Sequence, residues 1–214
     1  MRAVATISLA VLLIAGHAIG GEVIDRIVAR VNRRVVLQSE LDDAMRYQAM
    51  VAQRGLDSLT AADRKQALDQ LIDQVLIDQQ IDRSAYVRVP KADLDRQIIQ
   101  VRRQLGVADR AGWEVLLARY DLTQQDVEER LAWQLDILRY VDSRFRPNIH
   151  IDKRSIETYY QDQLLPQVRK ASGREVPLAE VSGKIEEILI QQRIDELMSA
   201  WLRNLRTQEE VQLQ

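Results

Sequence analysis

Cysteine is absent from this 214-residue chain, phenylalanine occurs once, and aromatic residues together make up only 5%. Without thiols there can be no disulfide, no thiolate nucleophile and no cysteine-linked lipid, so packing alone must hold the fold. Glycine (8) and proline (4) are also scarce, which disfavours a many-turned β architecture and favours helices. Neither sign of charge dominates: 30 Lys and Arg face 32 Asp and Glu, a formal net charge of −2. Arginines alternate with carboxylates, the composition of solvated helix faces rather than of a surface that binds nucleic acid by bulk electrostatics. With 46% hydrophobic residues, the chain has enough apolar content for one sizeable core or two small ones.

Long hydrophobic runs are missing too. The longest, Ala3 to Ala15, is broken by Thr6 and Ser8 and falls short of the ~20 residues a membrane-spanning helix needs. Preceded by Met1-Arg2 and followed by Gly16, Ala18, Gly20 and Gly21, it has the build of a secretory signal peptide over residues 1–20. The cut falls after Ala18 or after Gly20. Export to the periplasm with no stable membrane anchor is expected. Removal of the signal takes His17 with it and leaves His150 as the last imidazole.

What is present begins with EVIDRIVARVNRRVVLQSELDDAMR, residues 22–46. Val23 to Val31 has the β-branched spacing of a strand, and Asn32-Arg33 or Arg33-Arg34 offers the tight reversal, because Asn tolerates positive φ. Val35 to Leu37 forms a second strand, and Ser39 with Asp42 has the spacing of a capping box that opens a helix. A lone hairpin is marginal in water, so a third strand is expected, supplied by Ile149-His150-Ile151, by Val211 to Leu213, or by both.

Helices are expected over about 40–53, from Thr60 (with Asp63) through Ile81, from Pro90 to Leu105, from Asp109 to Tyr120, and from Thr123 (with Asp126) to just before Pro147. Another is expected from Lys153 to Leu165, stopped by Pro166, with Gln167 to Val176 as a loop. The last opens at Pro177 and carries apolar residues in register to Leu205. The fold class is therefore mainly α: a multi-helix core with a small antiparallel sheet.

The order of these elements, and above all IVARVNRRVVLQSELDDAM, resembles the core module of the SurA family of periplasmic chaperones. Its PLAEVSGKIEEILIQQRIDELMSAWLRNLR followed by EEVQL is similar to that family's long last helix and closing strand. Two differences stand out: Arg33-Arg34 replaces the glycine usual after the turn Asn, and residues 152–176 stand where family members usually insert a parvulin prolyl isomerase domain. A domain needs at least ~50 residues, so residues 21–214 are expected to form a single core. The resemblance implies an ATP-independent holdase whose partners are unfolded exported polypeptides, outer-membrane proteins among them, and it carries over no isomerase activity. A structural or adaptor protein with one fixed partner is the alternative. A prolyl isomerase-family member by homology is a third reading, for which no acceleration of cis/trans exchange in a peptide assay is expected.

Catalytic chemistry has little to stand on. His150 has no nucleophile motif beside it, pairs such as Asp42-Asp43 and Glu186-Glu187 point apart on a helix, and phosphate-loop or metal-spaced motifs do not occur. No catalytic residue, metal ligand or cofactor is assigned. Binding is assigned to the first helix, where Met45, Tyr47, Met50 and Val51 are the candidate client contacts, because methionine suits promiscuous surfaces. Met198 and Trp201 read as core. Since Tyr47 and Met50 fall off the main apolar stripe, replacing both with Ser is expected to weaken suppression of client aggregation and leave the melting temperature nearly unchanged.

Overall fold

The computed structural model describes residues 25–82, 84, 86–107, 109–172 and 176–214; the expected signal peptide and Val23 lie outside them. Strands β1 (Ile27–Val31) and β2 (Arg34–Leu37) form the hairpin, antiparallel, with Val31 opposite Arg34. Asn32 takes the turn, at φ 57°, so the first of the two expected reversals is the one used. The helices that follow are α1 (Gln38–Val51), α2 (Ala61–Asp82), α3 (Lys91–Gln104), α4 (Arg110–Arg119) and α5 (Gln124–Phe145). After them come α6 (Lys153–Tyr159), α7 (Leu165–Ser172) and the long α8 (Leu178–Gln208), and then strand β3 (Val211–Leu213).

The sheet has the order β2-β1-β3, with β3 antiparallel to β1. Of the two expected third strands, only the C-terminal one joins. Ile149-His150-Ile151 is not a strand: Pro147 sits in a 3₁₀ turn (Arg146–Asn148), the Ile149 N–H bonds back to the Arg146 carbonyl at 3.1 Å, and Ile149 packs among α2, α5 and α8. His150 is exposed.

Asn32 stitches the two ends of the chain together. Its Nδ2 donates to Gln79 Oε1 at 2.8 Å and to Glu209 Oε2 at 2.7 Å, its Oδ1 accepts from the Glu210 N–H at 3.1 Å, and its own N–H reaches the Glu210 carbonyl at 2.9 Å. One side chain thereby ties the hairpin turn to α2 and to the segment leading into β3.

Helix starts follow local chemistry. Thr60 and Asp63 cap each other's backbone N–H (3.2 and 2.8 Å), and Thr123 and Asp126 do the same (3.2 and 2.6 Å). At α1 the capping differs from the expectation. The helix begins before Ser39, with Glu40 accepting from the Leu37 N–H at 2.8 Å, while the Ser39 hydroxyl donates to Asp25 instead. Strand β2 runs straight into α1, so no residue is left over for a separate Ser cap.

A second difference lies at Pro166. The helix does not stop there but continues to Ser172, because a π turn (Tyr160–Leu164) precedes the proline and the Leu165 N–H bonds to the Tyr160 carbonyl. Widening the turn moves the carbonyls that a proline ring would otherwise strike. Gln167 to Ser172 is thus helix rather than loop, and only residues 173–177 separate α7 from α8.

Four apolar clusters run through the described residues. The first joins the hairpin to α1, α2 and the end of α8, around Val31, Val36, Leu41, Leu76 and Leu205. The second gathers α1, α3, α4 and the start of α5 around Met50, Trp113 and Val127. The third joins α2, the second half of α5 and the middle of α8 through Ile77, Ile137 and Ile194, and the fourth packs Tyr160 and Leu165 on Ile185. Helix α1 therefore buries two faces, Leu41 and Ala44 into the first cluster and Ala49 and Met50 into the second. Helix α8, ~45 Å long at 1.5 Å per residue, spans the fourth, third and first clusters.

Candidate binding groove

A cleft of about 240 Å³ opens where α1, α2, α5 and α8 diverge. Tyr47, Ile77, Trp133, Ile137, Met198 and Leu202 give it apolar walls. It runs on into a shallower depression of about 380 Å³ beside the end of α1, where Val51, Leu59 and Arg54 take over the lining. Tyr47, Gln48, Gln70 and Gln134 border both, so the two form one groove with a continuous rim. That rim is built of amides: Gln48 Nε2 donates to Gln70 Oε1 at 2.7 Å across the α1–α2 junction, and Tyr47 Oη makes a long 3.5 Å contact to Gln134 Oε1. Primary amides both donate and accept. They can therefore pair with a polypeptide backbone without selecting the charge of its side chains.

The electrostatics of the groove are set by Arg130 and Asp73. The Asp73 carboxylate is committed to Arg206, whose Nε lies 2.7 Å away. Among the described residues Arg130 has no such partner: its Nη1 donates to Gln74 Oε1 at 3.2 Å and its guanidinium lies over the Tyr47 ring, 5.9 Å from the centroid. Burial presses the Arg130 pKa below the ordinary arginine value and pushes the Tyr47 phenol up.

Of the residues singled out from sequence, Tyr47 and Val51 border the groove; Val51 is exposed, whereas Tyr47 is buried at 8% and belongs to the second apolar cluster. Met45 packs against the first apolar cluster. Met50 is 0% exposed, in the centre of the second cluster, and so cannot touch a ligand in this conformation. The position off the main stripe that suggested an exposed Met50 instead marks the second buried face of α1. Met198, read as core, is partly buried and also lines the groove. Sequence reasoning missed Trp133, Arg130 and the three rim glutamines. Nothing in their local spacing distinguishes them from other polar or intermediate helix positions.

A second, charged trough of about 340 Å³ lies between β2, the start of α1 and α2, and ends at Arg88. Arg88 stands 3.6 Å from Asp78, 3.0 Å from Asp82 and 3.2 Å from the buried Asp136. Asp136 also accepts from the Val89 N–H at 2.7 Å and from the Tyr86 hydroxyl at 3.2 Å, which pins the segment leading into α3 against α5. Burial, reinforced by Asp82, raises the Asp78 carboxyl above 3.8, and Arg88 opposes the rise. A carboxyl raised in the folded state binds its proton more readily there than in the unfolded chain. Ionised Asp78 therefore costs stability at neutral pH, and that cost fades as the pH falls through the raised value toward 3.8. An Asp78→Asn variant is expected to melt higher than the parent at neutral pH and to lose the advantage in acid, as measured by calorimetric scans at stepped pH.

Among the described residues, no group of three His, Cys, Asp or Glu is placed to hold a metal ion, and no helix is long and apolar enough to cross a membrane. The site is an open, amide-rimmed apolar groove on a helical scaffold. The sequence profile of the SurA-like N-terminal domain matches residues 2–140, from the N-terminus through most of α5, and the chain belongs to that family. No parvulin domain is evident in it, since α7 and α8 are nearly contiguous. No curated protein matches the chain.

Proposed function

We propose that this protein is an ATP-independent chaperone that holds unfolded exported polypeptides, outer-membrane proteins among them, in the groove between α1, α2, α5 and α8. The single observation that carries the reading is the lining: apolar walls from Tyr47, Trp133, Ile137 and Met198 beneath a rim of Gln48, Gln70 and Gln134. Apolar walls take up side chains of many shapes, and methionine and aromatic surfaces suit promiscuous recognition. Membership of the SurA-like N-terminal domain family points to the same class. In this reading Tyr47 and Val51 contact client, while Met45 and Met50 shape the groove from behind. Residues 1–20 act as an export signal, the periplasm is the working compartment, residues 21–214 form one core, and the protein catalyses no reaction. Release follows from the client's own folding.

A light-scattering assay with a chemically unfolded outer-membrane protein tests the proposal. The full chain is expected to suppress aggregation without nucleotide. A Val51→Asp variant should suppress it several-fold less, with stability changed by no more than about 0.5 kcal/mol, because Val51 is exposed. Equal suppression by parent and variant would remove the groove from the mechanism. A protein that suppresses nothing but forms one stoichiometric complex would instead be the adaptor of the alternative reading.

A further inference from the structure

We propose that Arg130 gives this groove a chemical preference: it anchors an acidic side chain, Asp or Glu, of an extended apolar segment lying between α1 and α5. The inference rests on the client-binding reading above and specifies which clients bind best. Three observations support it. Among the described residues, Arg130 is the only cationic residue on the wall of the inner cleft, and the single carboxylate sharing that wall, Asp73, is held by Arg206. The neighbouring acids that feel Arg130 are also engaged elsewhere: Glu40 by Arg34 and the Leu37 N–H, and Asp43 by Arg46 at 3.0 Å.

Third, the guanidinium is partly buried, with one hydrogen bond to a neutral amide and a π face for company. A guanidinium offers five donors, so most of its capacity is left unused by the fold. A cation withdrawn from water without a carboxylate partner is poised to gain from one, since charge-assisted hydrogen bonds strengthen as the surroundings become less polar. The groove continues past Tyr47 and Gln134 into the outer depression bordered by Val51. Such a channel suits a chain passing through, and hence a side-chain carboxylate rather than a chain end. Among the described residues the inner cleft holds no second cation to favour phosphate over carboxylate, and Arg54 in the outer depression is paired with Asp63 at 2.8 Å.

The test uses the full chain and three fluorescein-labelled peptides of alternating Val, Tyr and Ser, read by anisotropy. The first carries one central Glu and an amidated C-terminus. The second replaces Glu with Gln, and the third is the Gln peptide with a free C-terminal carboxylate. The parent is expected to bind the Glu peptide ~10-fold or more tighter than the amidated Gln peptide, the scale of a charge-assisted hydrogen bond. In Arg130→Gln the ratio of the two affinities should fall to about one, whatever the absolute affinity of the Gln peptide. Arg130→Lys, which keeps the charge, should retain part of the preference, and an unchanged circular dichroism melt would show that either variant folds.

Equal affinity of the parent for the Glu and Gln peptides would overturn the anchoring role and leave the groove reading intact. Binding of the free-acid Gln peptide as tight as that of the Glu peptide would overturn the side-chain assignment. Binding of none of the three would sink the groove reading itself. Self-association that Arg130→Gln abolishes would place a second copy in the groove and overturn the proposal.

Discussion

An Asn32→Ala variant is expected to lose about 2–3 kcal/mol of folding stability, a large share of the ~5–15 kcal/mol that holds a typical domain. Two separate effects add. The turn needs φ near 57°, a left-handed conformation that asparagine tolerates and alanine does not. The carboxamide also makes the contacts to Gln79, Glu209 and the Glu210 N–H that close the sheet against α2 and the C-terminal segment. Asn32→Gly separates the two, because glycine adopts the turn freely and loses only the carboxamide. The glycine variant should fall between parent and alanine variant in a urea titration. Asn32→Asp should be at least as damaging as alanine, since it replaces the donor facing Glu209 with a second negative charge. If all three variants unfolded at the parental midpoint, the two chain ends would not be joined through this residue.

Met50→Ala is expected to cost about 2–5 kcal/mol, the range for emptying a fully buried methionine site. Its side chain is 0% exposed between α1 and the layer formed by α3, α4 and the start of α5, so truncation leaves a cavity that Trp113 and Val127 cannot readily close. Met50→Ser should cost more, because the hydroxyl enters an apolar site. This reverses the expectation drawn from sequence, in which Tyr47 and Met50 could both become Ser with little change in melting temperature. Val51→Ser, one residue further along the same helix but 49% exposed, should change stability by less than about 0.5 kcal/mol. A urea midpoint shift at constant slope measures the difference. If aggregation suppression by Met50→Ala falls only in proportion to the unfolded fraction, the residue supports the groove without contacting the client.

Much of the architecture was legible because it depends on neighbours in sequence. Thr60 with Asp63 and Thr123 with Asp126 form capping boxes from residues three apart, and Leu71, Ile72 and Leu76 of α2 keep helical spacing and are buried. Asn32 announced its turn because few other residues accept the geometry. The extension of the helix past Pro166 was not legible, because the π turn that accommodates the ring is a backbone adjustment with no fixed residue signature. Leu138 shows the same limit on α5. It keeps helical spacing with Leu131 and Leu135, yet it is 64% exposed, while Asp136 is buried to receive Tyr86, Arg88 and Val89.

The sequence by itself determined a helical chain opening on a hairpin, with no thiol chemistry, since composition, periodicity and caps act over a few residues; which of residues 149–151 and 211–213 closes the sheet was left to the structure. Only the tertiary structure decided that α1 is buried on two faces, which hides Met50 and leaves Tyr47 and Val51 on a groove rimmed by Gln48, Gln70 and Gln134. The physical reason is that burial of a helix face depends on how many partners pack against it, and those partners, α2 and α8 on one side and α3 to α5 on the other, are brought together only when the chain closes.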